Sequence, residues 1–196
     1  MAKAPIAGAS KTRLAAEIGV AQATRFARQA TAALLVRLGR DPRWQTILAV
    51  SPDRYVKSPI WPAWTLTCGQ GRGDLGERMQ RQFRAHAKGP LVIVGSDIPS
   101  LTPAHIATAF RLLGGADAVF GPALDGGYWL IGLRRRPHLL RPFAHVRWSG
   151  PHALKDTLAN LPGCAVGFLP RLGDVDSAEA YDLSGRHFAR RLLPRP

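Results

Sequence analysis

The sequence predicts a three-layer α/β/α fold with a mostly parallel sheet, built as one domain over residues 1–196. Three observations carry this expectation. Short apolar runs alternate with stretches of helical periodicity along the chain. One run, Leu91-Val92-Ile93-Val94, is apolar throughout, as in a strand buried on both faces of a parallel sheet. It leads directly into Gly95-Ser96-Asp97-Ile98-Pro99. In open α/β sheets ligands bind beyond the carboxyl ends of the strands, and Asp97 falls at that place.

The elements follow in order. Val20 to Leu38 carries Phe26, Ala30, Ala33, Leu34 and Leu38 at helical spacing and is ended by Gly39 and Pro42. Thr46–Val50 reads as a strand stopped by Pro52, and Trp64–Cys68 as another. Leu75–Ala87 is a helix, followed by the strand that delivers Asp97. Pro103–Leu113 is a helix with Thr102 as its N-cap and Pro103 at its first position. Ala116–Phe120 and Tyr128–Leu133 are strands joined through Asp125-Gly126-Gly127. Pro151–Leu161 reads as a helix, Ala165–Leu169 as a strand and Ser177–Leu192 as a final helix. At the front, Lys3-Ala4-Pro5-Ile6-Ala7-Gly8 looks like a loop that should follow a strand, yet almost nothing precedes it. Either the first strand is largely missing or the reading frame starts late.

The chain carries 27 basic and 13 acidic residues, a formal net charge of +14. The bases are spread over the whole length, and no nucleic-acid-binding motif accompanies them, which argues against nucleic acid and for a polyphosphate substrate. No window is long and apolar enough for a membrane span, and the first residues lack the apolar core of a secretory signal. Cys68 and Cys164 are isolated, so neither a zinc site nor a disulfide framework is expected. A cytoplasmic location is the default. The acids are concentrated: Asp74, Glu77, Asp97, Asp125, Asp174 and Asp176 all fall in glycine- or proline-rich turns. Acids kept in turns at strand ends suggest a site.

Four loops carry the chemistry. In Gly8-Ala-Ser-Lys-Thr-Arg-Leu14, glycine permits close backbone approach, and Lys3, Lys11 and Arg13 can surround phosphate oxygens; the alternative is a solvated basic turn. Gly71-Arg-Gly-Asp-Leu-Gly76 is formally a dinucleotide-binding pattern, with Asp97 at nearly the expected interval. Against it, Asp74 would set negative charge beside a pyrophosphate, and an N-capping turn explains the same residues equally well. Asp125-Gly126-Gly127 supplies a turn with exposed amides, Tyr128-Trp129 beside it is an aromatic wall for a sugar or base, and Trp148, after a loop, borders the site; a plain hairpin is the alternative. In Gly173-Asp174-Val175-Asp176 the two alternating carboxylates point the same way in an extended segment. Together with Asp97 they suit Mg²⁺ or Mn²⁺, unless Asp176 merely caps the last helix. The histidines lack metal-type spacing, and no nucleophile elbow is present.

Taken in this order, these segments, with Gly73-Asp-Leu-Gly-Glu-Arg-Met79 and Gly95-Ser-Asp-Ile-Pro99, resemble the DUF2064 group, also called the radical-SAM/selenodomain-associated transferase 1 family. The resemblance implies the GT-A fold of nucleotide-diphospho-sugar transferases. It also implies kinship with 2-phospholactate guanylyltransferase, whose metal-binding acids map onto Asp97, Asp174 and Asp176.

The resulting expectation is a metal-dependent transferase that joins a nucleoside triphosphate to a small phosphorylated acceptor and releases pyrophosphate. Lys11, Arg13, Asp97 and Asp125 carry the catalysis. Lys3, Gly8, Lys11, Arg13, Gly71, Gly73, Asp74 and Gly76 bind the nucleotide; Asp125, Gly126, Gly127, Tyr128 and Trp148 bind the acceptor. Glycosyl transfer from a nucleotide sugar is the alternative within the same site. A non-catalytic nucleotide-binding module is the alternative of another class.

Overall fold

The computed structural model describes residues 1–86, 89–175, 177–179 and 181–182. In chain order the elements are β1 (Ala2–Lys3), α1 (Thr12–Ile18), α2 (Val20–Gly39), β2 (Ile47–Ser51), β3 (Leu66–Gly69), α3 (Leu75–Ala85), β4 (Leu91–Val94), α4 (Pro103–Leu112), β5 (Ala118–Pro122), β6 (Tyr128–Leu133), α5 (Ala153–Ala159) and β7 (Val166–Phe168). The final helix expected over 177–192 lies largely outside the described residues.

β1, β2 and β3 form a parallel sheet in that order, and β4, β6, β5 and β7 form a mixed one. β1 is only two residues long, as its place in the sequence implies, yet it pairs in register with Val50 and Ser51 of β2. On its other side the Met1 amino group donates to the Val94 carbonyl at 2.7 Å. The first strand therefore links the two sheets. Three strand pairings are parallel; β6 supplies the two antiparallel ones, to β4 and β5. The parallel environment expected for Leu91–Val94 is thus corrected. Its partner β6 runs antiparallel because the short Asp125–Gly127 turn can return only an antiparallel strand. Only Ile93 of that run is buried; its neighbours are half-buried.

Alternation along β5 and β6 sorts the core into two layers. Val119 and Leu130 face Ile98, Leu101, Ile106 and Ala109 on the α4 side. Ala118, Phe120, Ile131 and Leu133 face Met79 and Phe83 of α3, with Leu154 and Leu158 of α5 beyond. Leu35 of α2 packs on Ala2, Leu48 and Val50 of the parallel sheet. No described helix is long and apolar enough to cross a membrane.

Local chemistry sets the helix ends that frame the site. Gly19, at φ 89°, separates α2, which begins at Val20 as expected, from α1, a helix not among those expected from the sequence. At α3, the Asp74 carboxylate accepts the Glu77 amide at 2.8 Å, and Glu77 returns the bond to the Asp74 amide at 2.9 Å. This reciprocal capping box satisfies two amides that the helix itself leaves open. The loop before α5 is fixed by Arg147, whose guanidinium grips Asp156 through two bonds of 2.9 Å, and by Asn160, which donates to the carbonyls of Pro142 and Ala144.

Two outcomes follow. Asp74→Ala should destabilise the protein by about 1 kcal/mol in urea denaturation, the usual value of a helix N-cap, while Asp74→Asn should retain most of the stability. The second outcome concerns acid. The Arg147 hydrogen bonds hold the Asp156 carboxyl below its ordinary 3.8. The Ala165 amide, aided by Arg134, does the same for Asp117. Groups with depressed folded values add stability that is complete above the unfolded value and is lost as pH falls through the folded one. Stability should therefore decline progressively below about pH 4, and Asp156→Asn should flatten that decline; an unchanged acid limb contradicts the assignment.

Candidate functional site

A cleft of about 610 Å³ opens at the carboxyl ends of β1 and β4. Its floor is Ala2, Lys3, Gly95, Ser96 and Asp97; α1 contributes Thr12 and Arg13, α2 contributes Ala27, Ala30 and Thr31, and α3 contributes Leu75 and Arg78. Asp125 and Ser149 close the far side. Lys3, Lys11, Arg13, Asp97 and Asp125, scattered over more than a hundred positions of sequence, thus line one cavity.

Lys11 is the most constrained of them. Its backbone takes the left-handed conformation at φ 51° and ψ 47°. For a residue other than glycine this costs on the order of 1–3 kcal/mol and persists only where the surroundings enforce it. The side chain is 10% exposed, and its ammonium pairs with Asp97 Oδ2. It also donates to the Val175 carbonyl at 2.8 Å. The Val175 amide in turn donates to the Asp97 carbonyl at 3.3 Å. One ammonium therefore joins the first loop, the end of β4 and the segment that carries Asp174. Glu17 adds a second tie, accepting the Ala178 amide at 2.7 Å.

The acids expected to hold a metal divide. Asp97 lies in the cleft with its side chain 31% exposed. Asp174 is half-buried, next to the Val175 amide that binds Asp97. Asp176 lies outside the described residues. Among the described residues no three His, Cys, Asp or Glu side chains gather as a metal-binding group.

The glycine-rich loop before α3 is held by contacts of its own. Gly71 donates its amide to Asp53 at 3.0 Å, and the Asp74 amide is used in the capping box. Arg81 holds the Gln70 and Arg72 carbonyls, and Arg78 holds that of Gly73 at 2.8 Å. Gly71 and Gly73 adopt φ of 75° and 102°, where other residues are strained. None of Gly71, Gly73, Asp74 and Gly76 lines the cleft; their neighbours Gln70 and Leu75 do. Gly76 instead packs beneath Phe143 and Trp148, where a β-carbon would approach both to 2.7 Å. Gly8 is exposed at the turn of the first loop and also stands outside the cleft lining.

On the far side, Asp125 Oδ1 accepts the Gly127 amide at 2.9 Å, which shapes the turn. Gly126, at φ 86°, lies against the Pro151 backbone and anchors Leu154 through its carbonyl. Tyr128 points its hydroxyl to Thr157 at 3.4 Å and packs edge-on to Phe120. Burial raises its phenol well above the ordinary value, so Tyr128 belongs to the core rather than to an aromatic wall of the cleft. Trp148 packs on Tyr128 and Phe143, and its buried indole nitrogen has no hydrogen-bond partner among the described residues. The neighbouring Ser149 reaches the cleft.

The expectations from sequence omitted Arg78, Gln70, Thr31 and Ser149. For Arg78 a signal exists: it stands three positions after Leu75 and so shares a helix face with it. Gln70 is buried and fixed by the carbonyls of Ala2 and Ala49 at 3.0 and 2.9 Å, which depends on strand pairing and leaves no trace in the local sequence.

The fold closely matches the crystal structure of a Desulfovibrio desulfuricans G20 protein named a "putative nucleotide-diphospho-sugar transferase", with a TM-score of 0.82, 28% identity, and coverage of 94% of this chain and 84% of that one. A Mycobacterium sp. strain JC1 protein, a homologue of Mycobacterium tuberculosis rv0371c, shares the fold at a TM-score of 0.55 and 16% identity, over 83% of this chain and 84% of that one. No curated protein matches the chain. The family model described as "Uncharacterized protein conserved in bacteria (DUF2064)" matches residues 24–150, which run from within α2 to Gly150 and include Arg78, Asp97 and Asp125. With well over half of its length matched, this chain belongs to the DUF2064 family.

Proposed function

We propose that the cleft binds a nucleoside triphosphate and transfers its nucleotidyl group to a small phosphorylated acceptor. The observation that carries the reading is the lining itself: Lys3, Lys11, Arg13 and Arg78 surround a cavity whose carboxylates are Asp97 and Asp125. Guanidinium and ammonium groups recognise phosphate oxygens through charge-assisted hydrogen bonds. Arg78 is already oriented, with Nε on the Gly73 carbonyl, so little ordering entropy is lost when the remaining donors meet a phosphate.

An acceptor oxygen attacks the α-phosphorus, a new P–O bond forms, and the bond to the pyrophosphate oxygen breaks. Lys3, Arg13 and Arg78 hold the leaving pyrophosphate and offset its charge. Positioning and preorganised charge supply most of such catalysis. Asp125 orients the acceptor from the opposite wall. The Asp97 carboxylate and the Val175 carbonyl converge on a cation, the Lys11 ammonium, which is the oxygen donor chemistry that Mg²⁺ or Mn²⁺ requires. Asp97, with Asp174 beside it, would hold that ion. When bound it supplies neutralisation of phosphate charge.

A second reading, glycosyl transfer from a nucleotide sugar, is favoured by the name of the Desulfovibrio protein. The same basic residues would hold its diphosphate. Thermal-shift screening of nucleoside triphosphates and nucleotide sugars, with and without Mg²⁺, separates the two, because only a ligand of the folded state stabilises by mass action. Stabilisation by triphosphates in the presence of Mg²⁺ supports the first reading; stabilisation by nucleotide sugars alone supports the second. No stabilisation by either class sinks both.

Arg13→Ala and Arg78→Ala should each weaken binding of the stabilising nucleotide by about 1.5–3 kcal/mol, the range for hydrogen bonds to charged groups, as read by calorimetric titration. Equal affinity in both variants and the parent chain contradicts the polyphosphate role. Asp125→Asn retains the turn-forming side-chain oxygen. It should lower kcat by roughly a hundredfold, the scale of a misplaced substrate, and leave nucleotide affinity unchanged.

A further inference from the structure

The Lys11 ammonium sits where a metal ion at Asp97 would sit, and this has a consequence for the order of binding. We infer that Lys11 is a tethered cation that keeps Asp97 occupied until a metal–nucleotide complex arrives, so that free divalent metal is refused and the chelate is admitted. The inference rests on the nucleotide reading of the cleft and adds to it the form in which the donor must come.

The geometry supports it in three ways. Asp97 Oδ2 and the Val175 carbonyl, hard oxygen donors from segments far apart in sequence, meet at the Lys11 nitrogen rather than at open solvent. The ammonium is held there by a backbone in the left-handed region, with its side chain 10% exposed, so the pairing is enforced rather than one of many surface rotamers. Thr12 and Arg13, which follow directly, line the cavity with Lys11, so a phosphate bound to this loop is within the neighbourhood of the ammonium.

Charge balance decides which ligand can displace it. A bare divalent ion at Asp97 would push the Lys11 ammonium back among Lys3, Arg13 and Arg78, adding a second cation to the cleft without bringing phosphate oxygens to offset it. A metal–nucleotide complex brings both partners. Its cation takes over Asp97, and its phosphate oxygens accept Lys11 in a charge-assisted hydrogen bond. The apparent affinity for a ligand that needs the minor, open state is reduced by the fraction of molecules in that state. If Lys11 holds Asp97 in about 90–99% of molecules, free metal binds roughly ten to a hundred times more weakly than the bare oxygen site would allow.

The test is Mn²⁺ binding without nucleotide, followed by the electron paramagnetic resonance signal of free Mn²⁺ in titrations of the full chain. Lys11→Met should bind Mn²⁺ at least tenfold more tightly than the parent chain, and the double variant Lys11→Met/Asp97→Asn should lose that gain. If Lys11→Met does not fold, Lys11→Gln serves, since its amide still donates to the Val175 carbonyl without carrying charge. Equal or weaker Mn²⁺ affinity in the folded Lys11 variant overturns the inference. Adding nucleoside triphosphates to the same titration addresses the underlying reading separately. Failure of parent and variant alike to bind Mn²⁺ together with nucleotide overturns the nucleotide site, whatever the metal-only comparison gives.

Discussion

The Lys11–Asp97 contact is the constraint on which the site depends. Three segments converge on one ammonium, the loop after β1, the turn after β4 and the stretch around Val175, and the Val175 amide on Asp97 and the Ala178 amide on Glu17 reinforce the junction. Without the Lys11 contact the Asp97 carboxylate would face the cavity without its nearest cation. With it, the backbone of the first loop is locked in an uncommon conformation, and Arg13 is presented from the first turn of α1. On the reading proposed above, the charge that closes the site is also the charge that a metal–nucleotide complex displaces, which couples architecture to binding through one side chain.

The sheet explains why that meeting point lies where it does. β1 is short, yet it occupies the seam between the parallel strands and the mixed ones. Strands β1 and β4 both end at the same edge, so Lys3 and Asp97 emerge together. β6 runs the other way, and the Asp125–Gly127 turn that precedes it lies on the same edge as Asp97. Reversal of one strand thus places an acid on the far wall without lengthening any loop. Behind that wall, Arg147 and Asn160 fasten the loop that carries Trp148 and Ser149, so this side of the cleft stands on fixed backbone.

Much of this arrangement was legible in the sequence, for physical reasons that differ from element to element. Helix α4 announced itself through Thr102 and Pro103, and the β5–β6 hairpin through Asp-Gly-Gly, because caps and turns are local chemistry. The clustering of acids in turns pointed to Asp97 and Asp125. Direction of pairing was not legible: an apolar run looks the same whether its partner runs parallel or antiparallel, and β4 was misjudged for that reason. The glycine-rich loop before α3 imitated a phosphate cradle because tight turns and phosphate loops both need glycine at positive φ. Only the fold reveals that the Gly71 and Asp74 amides are engaged by Asp53 and Glu77, and the Gln70 and Arg72 carbonyls by Arg81. Tyr128 was read as a wall because burial is a property of the assembled layers and not of the motif. The engagement of Lys11 with Asp97, rather than with solvent, depends on residues 86 positions apart and could come only from the fold.

The central claim is that this cleft is the seat of a nucleotide's phosphates. A crystal structure of the full chain, grown with Mn²⁺ and a non-hydrolysable nucleoside triphosphate, tests it most directly. The account predicts anomalous density for manganese at the Asp97 carboxylate, the Lys11 ammonium moved from Asp97 onto phosphate, and the polyphosphate lying against Arg13 and Arg78. Nucleotide bound elsewhere on the protein, or a cleft without nucleotide and with Lys11 still on Asp97 at saturating ligand, would contradict it.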